Sequence, residues 1–461
     1  MVVKGHQRGG FGTRLGFVLA AAGSAIGLGN IWRFPYTAGE NGGAAFILVY
    51  LVCVTVLCVP VLFAELAIGR ASQRSPVSAF KALAPRSTWF AVGGLGVLTG
   101  FAILAFYSVV AGWVLGYLGK ALAGHFATSL NSLQSAAVFD GLVADVPVSL
   151  GLTGVFLLLT ALVVRGGIQG GIERCSKILM PIFFFLLIAL AIRSVTLPGA
   201  EAGLAFIFKP DLSKLSIEVC ASALGQAFFS LSLGMGAMIT YGSYVSPADR
   251  LPGAAVSVAF FDTMIAILAG MIIFPALFAK GGADMVTDGT GLVFKVLPTI
   301  FGDLPAGQLF AVAFYVLLGI AALTSTVSLL EVVVAYFVDE RRWGREKATW
   351  VVTAACFLLA IPSAVSWSLP ISEDGFFFRV LGTRSFLGAQ SVIFGKYALS
   401  IGALLIALFV GWKWGVGQAL AEISRAGGPM PLGKLWGVLI RYICPLAILA
   451  VIVAVILGVS M

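Results

Sequence analysis

Ala22-Gly-Ser-Ala-Ile-Gly-Leu-Gly-Asn30 lies in the middle of the first long apolar segment, and Phe228-Phe-Ser-Leu-Ser-Leu-Gly-Met-Gly236 in the middle of the sixth. A helix facing lipid is leucine-like at that depth. These two runs carry glycine and serine instead. Glycine weakens a helix and frees backbone carbonyls. In hydrocarbon a freed carbonyl must find a partner or line a cavity. Close packing of neighbouring helices through small residues accounts for either run taken alone. The two runs are five segments apart, and five is odd, so two five-helix units related by that spacing lie upside down relative to each other. Broken helices at matching places in inverted repeats mark the midplane site of a secondary transporter.

The composition around these runs agrees. Of 461 residues, 60% are apolar and 11% charged, against roughly half and a quarter in soluble domains. This excludes a water-soluble enzyme, a disordered chain and a nucleic-acid-binding module, and specifies an integral membrane protein. A spanning helix takes about 20 mostly apolar residues. The pattern predicts eleven, over 13–37, 43–69, 89–122, 147–164, 172–195, 217–244, 253–279, 305–337, 348–366, 386–412 and 435–459. The expected organisation is one all-α transmembrane domain over 1–461, with repeat one at about 11–195, repeat two at about 215–412 and an extra span at about 435–459. The first segment lacks a small-residue cleavage site and is polar near its end, unlike a cleavable signal peptide.

The net charge of +9 is spread in short clusters between apolar runs, as in cytoplasmic loops. With the N-terminus inside, inner segments hold 19 of the 29 Lys and Arg residues and outer segments 8, while Arg33 and Lys396 lie at membrane depth. This bias predicts a cytoplasmic N-terminus and an external C-terminus in a cell (plasma or inner) membrane. The six cysteines are scattered without a C-x-x-C pair, and His6 and His125 fall in loops. Neither a zinc site nor a disulfide framework is indicated.

Two features suit a small hard cation, which takes oxygen ligands. Asp262 is a carboxylate inside the seventh apolar segment, a costly placement that marks a functional site by default. Ala321, Thr324 and Ser325 share one helix face by their i, i+3, i+4 spacing. Their hydroxyls either join the freed carbonyls of the broken first segment or bond back to the preceding helical turn.

Longer strings carry a resemblance. Gly23 to Tyr36 (Gly-Ser-Ala-Ile-Gly-Leu-Gly-Asn-Ile-Trp-Arg-Phe-Pro-Tyr) and Glu40 to Phe46 closely resemble the first-helix signature of the neurotransmitter:sodium symporter family. The resemblance continues through Glu65 to Arg70, Gly170 to Arg174, Gly225 to Gly236 and Ala322 to Ser325, and spans Arg8 to about residue 445. Eleven spans resemble its bacterial amino-acid branch. The resemblance implies the leucine-transporter fold, in which spans 1–5 and 6–10 are inverted repeats and spans 1 and 6 unwind around the substrate. It implies two sodium ions, a small amino-acid-like substrate, a lipid bilayer and no obligate protein partner.

Carried over position by position, the resemblance implies a first sodium site at Ala25, Asn30, Ser230 and Asp262. The second falls at Gly23, Ile26, Ala321, Thr324 and Ser325. Substrate falls to Ala25, Gly27, Leu28, Gly29, Ile103, Tyr107, Phe229, Ser230, Ser232, Met235, Thr326 and Leu329. A fixed acid at Asp262 implies chloride independence, with a proton able to return on the same carboxylate. Ala266, one turn further on, stands where chloride-independent relatives can carry a different acid. A lone tyrosine such as Tyr107 otherwise anchors a helix at the bilayer interface. Met235 is flexible and can repack around a bulky apolar ligand, which favours hydrophobic or aromatic side chains.

The implied gates are Arg33, Phe229 and Tyr107 outside, and Arg8, Tyr244 and Asp339 inside, where Arg8 and Asp339 otherwise read as solvated loop charges. Gly171 and Pro181 match a motif whose unwinding opens the second sodium site. The tenth segment departs from the family. Ser391 stands where Arg33 would meet an aspartate, Gly388 replaces a second acid, and Lys396 adds a charge. Glu373 or Asp374 is the alternative partner for Arg33. Lys396 either snorkels to the interface or serves gating or an additional carboxylate.

The expected function is sodium-coupled symport of neutral hydrophobic or aromatic amino acids by alternating access. The alternative is a related organic anion such as an aromatic or branched keto acid. An intramembrane enzyme is disfavoured, since His-Glu-x-x-His, a Ser/His pair and paired intramembrane aspartates are all missing. Discrete midplane sites argue against a channel.

Overall fold

The computed structural model describes residues 9–279, 291–304, 306–368, 383, 385–428 and 430–456. Among these, nine helices are long and apolar enough to cross a membrane, and the bent pair Arg14–Ala25 and Gly29–Glu40 makes a tenth. The sixth expected segment consists of two shorter helices, Ile217–Ser230 and Ala237–Gly242. The spans are numbered here in the order of the expected segments. Span two is Ala44–Ser72, three Phe90–Leu122, four Val146–Arg165, five Ile168–Val195, seven Leu251–Phe278, eight Gly307–Glu340 and nine Arg345–Val365. Span ten starts at Phe386, and span eleven runs from Gly433 into the C-terminal helix.

Span one begins where the Thr13 hydroxyl accepts from the Gly16 N–H at 3.0 Å, a side-chain N-cap. It stops at Ile26, whose extended backbone (φ −74°, ψ 108°) cannot continue the helix, and the chain turns by 49° before resuming at Gly29. Span six breaks through Ser232 (φ 54°), Gly234 (φ 82°) and Gly236 (φ 77°). Left-handed backbone is cheap only for glycine, so Gly234 and Gly236 determine where this helix ends and restarts. The two interruptions face each other, since the Ser232 hydroxyl donates to the Ser24 carbonyl at 3.0 Å. The fold is all-α, with two inverted five-helix repeats and unwound first and sixth spans.

Spans three and eight pack along each other and form the centre. In its most apolar stretch span three is 78% buried, against 33% for spans four and five. Leu158, Leu162, Phe185 and Ile188 on those outer spans are exposed, so that face meets lipid. Helices not expected from the apolar pattern include Pro76–Leu83, Ser132–Ala144, Ala200–Phe208, Leu297–Phe301 and Val416–Ser424. The last extends span ten beyond 412. Gly415 (φ 98°) turns the chain there, and Glu422 then pairs with the buried Arg70 at 2.7 Å.

Candidate functional site

Asp262 is fully buried on span seven and faces both broken helices. Asn30 Nδ2, at the restart of span one, donates to Asp262 Oδ1 at 2.7 Å and to its backbone carbonyl at 3.1 Å. The Ser230 hydroxyl, at the end of the first half of span six, lies 2.9 Å from each carboxylate oxygen. The Tyr50 hydroxyl on span two donates to Oδ2 at 3.3 Å. These partners are all neutral. Burying a carboxylate is costly unless an opposite charge compensates. The cluster therefore provides oxygen ligands and an acid whose partners here are all neutral, which together suit a cation such as sodium.

The neighbouring turn is held by hydrogen bonds to its backbone N–H groups. Tyr107 on span three accepts the Leu28 N–H at 2.8 Å, and the Gly27 N–H goes to Asn30 Oδ1 at 3.1 Å. A Cβ on Gly27 would collide with the Ser325 and Tyr107 hydroxyls, so only glycine lets this backbone approach so closely. A small cavity of about 20 Å³ lies here, lined by Ala25, Gly27, Gly29, Ile103, Tyr107, Phe229, Ser232, Met235, Ser325 and Leu329. That is room for about one water molecule. The site is closed in this conformation, and a bulky ligand requires Phe229 and Met235 to move.

Three expected pocket residues, Leu28, Ser230 and Thr326, do not line this cavity, and Leu28 only donates its N–H to Tyr107. The Thr326 hydroxyl is 2.8 Å from that of Thr160 on span four and bonds back to Leu323. Its register on span eight turns it away from the cavity that Ser325 and Leu329 line. Ser230 is committed to Asp262 rather than to the cavity wall.

The second oxygen cluster joins span eight to the break in span one. The Ser325 hydroxyl lies 3.3 Å from both the Ser24 and the Ile26 carbonyls. Gly23 packs against the Thr324 side chain and the Met180 sulfur. The Thr324 hydroxyl bonds back to Ile320 and Ala321 at 3.2 and 3.1 Å. That bond uses its proton and leaves oxygen lone pairs available to a cation, so back-bonding and ligation are compatible.

On the side expected to face outward, the Arg33 guanidinium stacks 4.6 Å from the centre of the Phe229 ring. Ser391 lies beside Gly395, which in turn lies beside Phe229. Lys396 is within electrostatic reach of Arg33 and Glu40. Glu373 and Asp374 lie outside the described residues, as does Arg8. On the side expected to face inward, the Tyr244 hydroxyl donates to Glu331 at 2.6 Å, and Arg345 forks onto the same buried carboxylate. Asp339 accepts the Ser75 N–H at 2.6 Å. Gly171 sits in a π-helical turn, Ile168–Glu173, and Pro181 inside the helix that follows, Arg174–Val195.

The residue pattern gave no role to Tyr50, Glu65, Gln226, Glu331 or Arg345. Glu65 accepts the Gly234 N–H at 2.7 Å and Gln226 donates to the Gly29 carbonyl at 2.8 Å, so each ties a neighbouring span to an unwound turn. Glu65 and Glu331 carried a signal, being acids inside apolar segments like Asp262. Tyr50 carried none.

Comparison with known proteins gives a consistent picture. The model of the sodium:neurotransmitter symporter family matches residues 8–135 and 137–461. The sodium-dependent transporter YhdH of Bacillus subtilis (strain 168) is 40% identical over 443 residues, covering 95% of this chain and 96% of its own length. A sodium- and chloride-dependent GABA transporter of Drosophila melanogaster is 26% identical, over 92% of this chain and 49% of its own. Among solved structures, the crystal structure of MhsT in complex with L-phenylalanine superposes with a TM-score of 0.88 at 47% identity, covering 97% of this chain and 99% of the other.

Proposed function

The chain belongs to the sodium:neurotransmitter symporter family, a multi-pass membrane transporter that uses sodium and not an enzyme, and from that premise we propose that it carries neutral hydrophobic or aromatic amino acids into the cell with two sodium ions. The observation that carries this reading is the buried Asp262 cluster beside the turn held by Tyr107. One side offers oxygens and negative charge for a cation. The other offers the Tyr107 hydroxyl, which accepts from Leu28 and keeps its own proton for a carboxylate, with Ile103, Phe229, Met235 and Leu329 as an apolar wall. A zwitterion with an apolar side chain satisfies both. The L-phenylalanine bound by MhsT supports the aromatic end of the range.

Sodium site one is assigned to Ala25, Asn30, Ser230 and Asp262, and site two to Gly23, Ile26, Ala321, Thr324 and Ser325. Transport proceeds without chloride, unlike that of the chloride-dependent Drosophila relative, because Asp262 supplies a fixed anion. Once sodium leaves inside, the carboxylate can take a proton and release it outside. Arg33 stacked on Phe229 forms the outer lid, and Tyr244, Glu331 and Arg345 hold the inner side closed. The Lys and Arg bias puts the N-terminus in the cytoplasm and the C-terminus outside. Two repeats, about 11–195 and 215–412, move against each other around the fixed site.

Counterflow of labelled phenylalanine in proteoliposomes tests this reading, with and without sodium. Exchange that needs sodium and is competed by leucine and tryptophan supports it. Exchange competed better by phenylpyruvate than by phenylalanine would favour an organic anion, with Lys396 as its extra cation.

A further inference from the structure

A much larger cavity lies away from the midplane site. It is a groove of about 500 Å³ between the helix Pro76–Leu83 and spans three, eight and nine, within the roughly 300–1,000 Å³ range of ligand sites. Its walls are apolar, with Val77, Leu98, Val333 and Val351 among them, and Lys81 and Glu340 sit at one end. Phe90, Leu98 and Val351 are exposed, so the groove opens toward lipid. On span three it runs from Phe90 to Phe101. Eleven residues of helix rise about 16 Å, roughly half of the ~30 Å hydrocarbon core. The groove is therefore one leaflet deep.

Its charged end is built rather than incidental. Lys81 Nζ lies 2.5 Å from Glu340 Oε2 and within 5.8 Å of the Phe90 ring centre, and its side chain is still 47% exposed. Ser78 donates to the other Glu340 oxygen at 2.6 Å. The two chain segments meeting here, 74–86 and 339–347, carry Arg74, Lys81, Arg86, Arg341, Arg342 and Lys347 against Asp339, Glu340 and Glu346, six bases less three acids once Arg345, which pairs with the buried Glu331, is set aside. Lys81 and Glu340 neutralise each other, and a positive excess remains on the basic residues around them. Gly94 lines the groove floor, and a Cβ there would meet nothing within 4 Å, so the space is left open by the lack of a side chain.

We propose that this groove holds one acyl chain of an anionic phospholipid, with the headgroup phosphate at the basic rim beside the Lys81–Glu340 pair. An acyl chain is already in hydrocarbon when it lies in the bilayer, so the groove walls supply shape, and selectivity among lipids comes from the headgroup. Basic pockets between spans at a charged membrane face bind anionic headgroups in this way. One cation near the surface gives about a fivefold preference for an anionic lipid over a zwitterionic one.

The test uses the full chain purified from nanodiscs holding equal amounts of phosphatidylglycerol and phosphatidylcholine, with retained lipid read by native mass spectrometry. The wild type is expected to retain one phosphatidylglycerol at least fivefold over phosphatidylcholine. Gly94→Phe, which fills the groove, loses that lipid. Lys81→Gln, which leaves Glu340 unpaired and lowers the positive excess by one charge, retains one lipid with a preference reduced about fivefold. Equal retention of both lipids by the wild type overturns the proposal, and so does undiminished retention in Gly94→Phe. If Gly94→Phe does not fold, Val351→Phe closes the groove from span nine and is read the same way, while the wild-type competition depends on no variant.

Discussion

Replacing Asp262 by asparagine removes one negative charge and little else. The amide keeps an acceptor for Asn30, now at 2.7 Å from the carboxylate, and its new N–H group faces the Ser230 and Tyr50 hydroxyls, which can accept. The fold should persist. The electrostatic loss is large because Asp262 is fully buried. Two unit charges about 4 Å apart at an effective dielectric near 20 attract by about 4 kcal/mol, which is about a thousandfold in sodium affinity. Relaxation of the surrounding dipoles reduces this, so the expected rise in sodium half-saturation is between roughly 30-fold and 1,000-fold. The assay is uptake of labelled phenylalanine by proteoliposomes against external sodium, in chloride and in gluconate. Wild-type uptake should be the same in both anions. The variant should fail in gluconate and recover only weakly in chloride, because Ala266 offers no hydroxyl to hold the anion. Unchanged sodium activation in Asp262→Asn, or strong chloride dependence in the wild type, refutes the charge argument.

Three further outcomes follow from the same geometry. Thr324→Val keeps the shape of the side chain but deletes an oxygen beside Gly23, so sodium-driven uptake collapses; wild-type sodium activation would remove residue 324 from the second site. Tyr107→Phe deletes the hydroxyl 2.8 Å from the Leu28 N–H, and a lost hydrogen bond to a charged group, about 1.5–3 kcal/mol, weakens substrate binding by roughly ten- to a hundredfold. Met235→Phe stiffens one wall of the cavity, so competition assays should record a greater loss for tryptophan and phenylalanine than for valine and alanine.

Much of this architecture was legible in the chain because hydrocarbon is an exacting solvent. Apolar runs of about 20 residues and glycine at mid-depth leave few alternatives, and the two breaks stand at Ile26 and at Ser232 to Gly236 as the sequence pattern implied. Asp262 was legible because a carboxylate in an apolar span is conspicuous. The supports of the site were harder to read. Tyr50 reaches Asp262 from span two, but tyrosine is ordinary in an apolar helix, and only the packing of spans two, six and seven gives its hydroxyl a target. Thr326 illustrates the opposite error. Beside Ser325 in sequence, it points about 100° away on the helix and meets Thr160 instead. The short helices Pro76–Leu83 and Val416–Ser424 were missed because they are set by a proline in the first turn, the turn at Gly415 and the Arg70–Glu422 ion pair rather than by hydrophobic length.

The central claim is that one closed midplane site joins a zwitterionic apolar ligand to sodium. Equilibrium binding of labelled phenylalanine to the purified protein, titrated with sodium at constant ionic strength and anion, tests it most directly. The account predicts binding that rises cooperatively with sodium, is displaced by leucine and tryptophan, and is lost when potassium replaces sodium. Saturable binding of the same affinity in potassium alone would contradict it.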